Sequence, residues 1–220
     1  MSASAFASAV RPTSKGPLSV RHGPEGGGTF LALCGLAGSG DWECAGIAAH
    51  LASGAPSYRV MLPEPASNPN TRASLGEFAV VLTATTLFGR GPCRESWMLD
   101  LLPSKNKSEG APVVLAGHSW GGGAAARLAA AHPEAVSRLV LISPDVEASV
   151  ARRCFPVPTL LIWAKDDYVN PIFWLRRWHG HPNLSIRTTE RGGHRVLPEH
   201  TEIISTWLQE QDALDAAARR

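Results

Sequence analysis

Residues 113–131 read VVLAGHSWGGGAAARLAAA, and three segments of different character meet there. Val113 to Ala116 is a short, unbroken apolar run, the pattern of a strand buried on both faces. Gly121 to Ala131 is rich in Ala, a strong helix former, and stops just before Pro133. Between them, Gly117-His118-Ser119-Trp120-Gly121 forms a Gly-x-Ser-x-Gly sequence. A strand that turns this sharply into a helix brings backbone segments close together. Glycine on either side of the apex removes side chains that would collide. Ser119 therefore stands at the apex of a strand-turn-helix, with the positive end of the helix beside its hydroxyl. A Gly-rich turn can instead cradle a phosphate. The residues disfavour that use, because Gly-x-x-x-x-Gly-Lys-Ser/Thr needs a lysine that is missing here and Gly-x-Gly-x-x-Gly is absent from the turn.

Outward from this point, apolar strands alternate with amphipathic helices. Upstream, strands are expected at Leu18 to Arg21, Thr29 to Cys34 and Tyr58 to Leu62. A helix capped by Asp41 should place Trp42, Ala45, Ile47 and Leu51 on one side. Further helices are expected over Ser74 to Leu87 and Glu95 to Leu102. Downstream, Leu139 to Ile142, Thr159 to Trp163 and Leu184 to Arg187 read as strands. A short helix or turn should follow Asp145, a helix should cover Pro171 to His179, and a last one Pro198 to Gln211. Continuous apolar strands imply a sheet covered on both faces, so the expected class is α/β, a mostly parallel sheet flanked by helices.

Composition bounds the rest. The 220 residues suffice for one domain, and 44% hydrophobic with 18% charged residues is ordinary for a globular protein. A net charge of +2 without a long Lys/Arg run argues against a nucleic-acid partner. Cys34, Cys44, Cys93 and Cys154 form no Cys-x-x-Cys pair and have no zinc-ligand spacing. They read as reduced thiols, with one or two disulfides left open, and neither metal nor organic cofactor is expected. No apolar run is long enough to span a bilayer. Residues 1–17 read as a flexible tail, although their Ser and Ala, with Arg11 and Lys15 and no acid, also fit a transit segment. The folded domain is expected over residues 18–220. The expected location is cytoplasmic, with a plastid or mitochondrial one left open by that N-terminal segment.

A serine hydroxyl is a poor nucleophile unless a base takes its proton. After a Gly-x-Ser-x-Gly turn, the acid and then the histidine should follow on later strand-end loops. The strand TLLIW runs into Asp166-Asp167, and LSIR leads to Gly192-Gly193-His194. His194 is the expected base, since the two glycines give its loop room to project it over the sheet edge. His118 neighbours Ser119 and should point away, His200 belongs to the last helix, and His179 and His181 flank a turn. Asp167 is preferred as the acid, four residues before Pro171 and three after Ala164. Asp166 remains the alternative. An oxyanion needs backbone donors, expected at Trp120, just after the serine, and at Leu36 in the CGLAGSG loop.

Together CGLAGSGDW, GHSWGGG, LVLISP, LLIWAKDDYVNP and GGH resemble the α/β-hydrolase superfamily, in family order from Thr29 onward. The resemblance implies an α/β-hydrolase fold and a Ser/Asp/His triad at Ser119, Asp167 and His194. The sequence departs from the family where its usual His-Gly is Cys34-Gly35, and where Pro63-Glu64-Pro65 replaces a polar turn. Only Asp145 to Pro158 separate LVLISP from TLLIW, too few residues for a lid, so a cap-less member with an open site is expected.

That reading makes the chain a hydrolase of carboxylic esters or thioesters working through an acyl-enzyme, with a small-molecule or acylated substrate. An acyltransferase could use the same residues, and a non-catalytic binding protein could use the same scaffold. Trp120, Trp163, Trp174 and Trp178 lie near the motifs and could line a pocket, although core packing is preferred for Trp163 and Trp207. Arg176, Arg177, Arg187, Arg191 and Arg195 could attract an anion or merely face solvent. Substrate identity and oligomeric state are not encoded in any recognisable pattern.

Overall fold

The structure, a computed structural model, describes residues 8–13, 16–21, 28–35, 40–54, 58–63, 113–153 and 155–220. The described strands are β1 (Ser8–Thr13), β2 (Gly16–Arg21), β3 (Gly28–Leu33) and β4 (Tyr58–Pro63), then β5 (Val113–His118), β6 (Val136–Ile142), β7 (Thr159–Ala164) and β8 (Leu184–Thr189). They form one sheet in the order β1-β2-β4-β3-β5-β6-β7-β8. From β4 to β8 every pairing is parallel, while β1 and β2 add antiparallel strands at one edge. The described helices are α1 (Gly40–Cys44), α2 (Ile47–Ser53), α3 (Ser119–Ala131), α4 (Ala148–Ala151) and α5 (Glu199–Ala218), with 3-10 helices at Pro133–Ala135 and Ile172–Trp178.

Successive side chains of a strand point to opposite faces, and the sheet is buried on both. Leu31, Leu115, Leu141 and Leu161 pack under the alanines of α3 together with Trp163 and Trp178. Their strand neighbours Phe30, Val114, Val140 and Ile162 face the other way, against Trp42, Leu51, Ile204 and Trp207. The alanines of α3 keep the helix slim: Ala124, Ala125, Ala126 and Ala129 are fully buried, so the helix sits close to the sheet. At the edge where the parallel strands begin, Arg138 is buried between Asp212 (2.6 Å) and Asp215 (2.7 Å) of α5. This pair of contacts ties the far half of α5 to β6.

Several elements differ from the sequence reading. Ser8–Thr13, placed in a flexible or transit tail, pairs with Gly16–Arg21 from Ser8 opposite Arg21 to Thr13 opposite Gly16. Prolines hid the strand, yet Pro12 and Pro17 sit at the sheet margin where a missing N–H is tolerated. The helix expected from Asp41 is split into α1 and α2 at Gly46, whose φ of 74° is left-handed. The Pro171–His179 helix is a 3-10 helix, and the last helix runs on to Ala218. The connection from β6 to β7 holds only the four-residue α4, so no cap domain is evident there. The helices expected at Ser74–Leu87 and Glu95–Leu102 lie outside the described residues.

Candidate active site

β5 delivers Ser119 to the C-terminal edge of the sheet. Ser119 opens α3 with a φ of 53°, a left-handed conformation that a non-glycine residue rarely adopts. Its carbonyl accepts a hydrogen bond from the Asp145 N–H at 2.8 Å, which ties the elbow to the loop after β6. The glycines of the motif have a steric reason. A Cβ on Gly117 would run into the carbonyl of Gly121, and one on Gly121 into the carbonyls of Leu33 and Cys34. The strand and helix meet more closely than any side chain allows.

His194 reaches Ser119 from the loop after β8. Its Nε2 lies 2.7 Å from Ser119 Oγ and its Nδ1 2.9 Å from Asp167 Oδ2. These distances join the three side chains into one hydrogen-bonded chain. Asp167 follows β7, and its side chain is fully buried. Its other oxygen accepts the N–H groups of Val169 and Asn170, each at 2.9 Å. Burial alone would raise the pKa of this carboxyl, but the hydrogen bonds from His194 and from the Asn170 backbone outweigh it and hold the pKa below the usual value.

Asp166 has a different place. It turns outward and accepts the N–H groups of Gly192 (3.3 Å) and Gly193 (2.8 Å). It therefore braces the loop that carries His194, whose two glycines have φ of 136° and 59°. The structure brings Asp167, not Asp166, against the imidazole.

Other groups complete the surroundings. Asn170 Nδ2 donates to the Ser143 carbonyl at 2.8 Å, and Trp163 Nε1 donates to the Asn170 carbonyl at 2.7 Å. Both contacts fasten the acid loop to β6 and β7. No motif in the sequence marked Asn170 or Ser143, although a polar residue three positions after an acid is a usual turn signal. Asp145, half-buried beside the elbow, has its pKa raised by burial and by the charge of Glu147, against the pull of Arg127. His118 is buried and packs its ring 5.0 Å from that of His194, with Nδ1 3.4 Å from Asp41 Oδ2. Burial keeps its pKa low despite Asp41, so it stays neutral beside the reacting groups.

Of the expected oxyanion donors, Trp120 lies in the first turn of α3, next to Ser119. Leu36 lies outside the described residues. Gly35, just before it, comes so near that a Cβ there would stand 3.3 Å from Ser119 Cβ. Trp120, Trp163, Trp178 and Trp207 are buried in the core, while Trp174 is only partly covered. Arg187 and Arg191 line an open cavity of about 740 Å³ between β8 and α5 together with Glu199, Glu202 and Glu210, and Ser119 is not among its lining residues. No described helix is long and apolar enough to cross a membrane.

The alpha/beta hydrolase fold family matches residues 28–156, more than half of the chain. The chain belongs to the alpha/beta hydrolase family. Among characterised proteins it is similar to Lipase LipV of Mycobacterium tuberculosis, 39% identical over 89 residues, which are 38% of this chain and 33% of that one. The matched part thus spans about a third of that relative's length. Among solved structures it is similar to a predicted CIB-like hydrolase from Thermoplasma acidophilum, with a TM-score of 0.68 at 20% identity over 94% of this chain and 99% of the other. It is similar also to the thioesterase domain from the curacin biosynthetic pathway, with a TM-score of 0.61 at 14% identity over 93% of this chain and 99% of the other. These solved structures share the fold of this chain.

Proposed function

We propose that this alpha/beta hydrolase is a serine hydrolase that cleaves a carboxylic ester or thioester through an acyl-enzyme. The observation that carries the reading is the unbroken chain from Ser119 Oγ through His194 to the buried Asp167 carboxylate. His194 Nε2 takes the hydroxyl proton as Ser119 Oγ bonds to the acyl carbon. The carbonyl oxygen becomes an oxyanion, for which the N–H of Trp120 and that of Leu36 are the proposed donors. Collapse breaks the bond to the alcohol or thiol, which leaves with the proton from His194. Water then gives a proton to His194, attacks the acyl carbon and releases the acid, and the proton returns to Ser119. Asp167 keeps His194 in the required tautomer and stabilises its cation.

The match to a lipase supports ester hydrolysis. The short β6–β7 connection supports an open site able to take acyl groups on larger carriers. The test is hydrolysis of p-nitrophenyl acetate and butyrate by the wild type, Ser119→Ala and His194→Ala. Loss of turnover in both variants is expected. Equal turnover by wild type and Ser119→Ala would contradict the proposal.

A further inference from the structure

Among the described residues, the exposed large apolar side chains are Tyr168 (85%), Val169 (38%), Phe173 (56%) and Leu214 (62%). All but Leu214 fall within six residues, directly after Asp167. They project from a turn and from the start of the 3-10 helix, not from a groove. Tyr168 borders the His194 loop, since a Cβ on Gly193 would lie 3.9 Å from its ring. Exposed apolar groups grouped in this way are costly in water and usually mark a contact surface.

Basic groups frame them. The Arg176 guanidinium lies 5.4 Å from the Phe173 ring centroid and that of Arg177 lies 4.1 Å from the Trp174 ring. Arg152 and Arg153 are exposed at the end of α4. The cations crowd one another: after burial, the charges of Arg176 and then Arg152 lower the pKa of Arg177, with Asp145 opposing. Among the described residues, few acids offset this charge. Glu147 is held by Arg127 at 3.2 Å and Asp166 is bonded to the His194 loop, which leaves Asp145 as the acid that opposes the cluster. Among the described residues, Arg152, Arg153 and Arg176 form no ion pair.

We infer that this rim docks on an anionic lipid surface. Tyr168, Val169 and Phe173 enter the headgroup layer, where aromatic rings are favoured, and Arg152, Arg176 and Arg177 meet the lipid phosphates. The inference goes beyond the proposed reaction, and it sets the mouth of the Ser119 site against the layer. Leu214 supplies the internal control. It lies on α5 beside Asp212 and Asp215, which bind Arg138 at the opposite edge of the sheet.

The test is co-sedimentation with phosphatidylcholine vesicles made with and without phosphatidylserine. Ser119→Ala protein is used, so that binding is read without turnover and stands apart from the fate of the proposed reaction. Binding is expected only with phosphatidylserine and should weaken with salt. Tyr168→Ser with Phe173→Ser should lower the partition at least ten-fold, and Arg176→Gln about five-fold. Leu214→Ser should bind as the parent does. All these positions are exposed, and an unchanged Tm verifies each fold. Equal binding to vesicles of both kinds, no binding to either, or rim variants that bind like Leu214→Ser would overturn the inference.

Discussion

Where the parallel strands begin, Arg138 sits between Asp212 and Asp215; where they end, His194 sits between Ser119 and Asp167. Both arrangements link a buried charge to a distant segment. At the first edge the cation is fixed: the Asp212 hydrogen bond and charge overcome the burial that would lower the pKa of Arg138, and raise it. No proton can move there. At the second edge the central group is an imidazole with one ring nitrogen at a serine hydroxyl and the other at a buried carboxylate. The backbone agrees with the side chains. Ser119 and Ser143 hold positive φ at the second edge, and strain of that kind is kept where the surroundings enforce it. An ion pair that only fastens and one suited to chemistry thus differ in the central group, not in the number of hydrogen bonds.

The sharpest way to break this comparison is to remove the proposed nucleophile. Ser119→Ala should lower kcat for a p-nitrophenyl ester by roughly 10⁴-fold or more, with the fold unchanged by circular dichroism. Asp167→Asn keeps the shape but removes the charge, and a loss of roughly 10³- to 10⁴-fold in kcat is expected. Asp166→Asn distinguishes the neighbouring acids. It should loosen the Gly192-Gly193 turn and cost only about ten-fold, because His194 keeps its partner. Losses of equal size at Asp166 and Asp167 would erase the distinction drawn between them.

Stability separates the edges further. Burial, the largest cause, lowers the pKa of His200 from 6.5 to about 4. Below 6.5 the unfolded chain binds a proton that the folded chain refuses. The contribution of this group is therefore complete above pH 6.5 and is lost as the pH falls toward 4, by roughly 3 kcal/mol in total. Urea melts between pH 7 and pH 4 should show this decline, and His200→Gln should flatten it. Arg138→Met is the smallest effect expected. It should lower stability by about 1–2 kcal/mol in the same melts, since Asp212 and Asp215 can turn to water, and should leave kcat untouched.

The elbow was legible because three independent signals coincide over residues 113–131: an apolar run, a Gly-x-Ser-x-Gly turn and an Ala-rich helix. The alternation of strands and helices was legible for the same reason, since burial on both faces demands continuous apolar strands. The choice between Asp166 and Asp167 was open, because adjacent side chains diverge and only the turn after β7 decides which one faces inward. That turn is set by Asn170 and Ser143, contacts between segments 27 residues apart that no local pattern records. Of the N-terminal hairpin, Leu18 to Arg21 was expected as a strand, and its partner Ser8–Thr13 was not. Pro12, Gly16 and Pro17 read as breakers, and only the margin of an existing sheet makes a strand of them.

The most direct measurement is labelling of the folded protein with a fluorophosphonate, followed by peptide mass spectrometry. We expect a single adduct, on Ser119, that disappears in Ser119→Ala and falls sharply in His194→Ala. A folded wild type that takes up no label, or carries it on a residue other than Ser119, would contradict the account of the site.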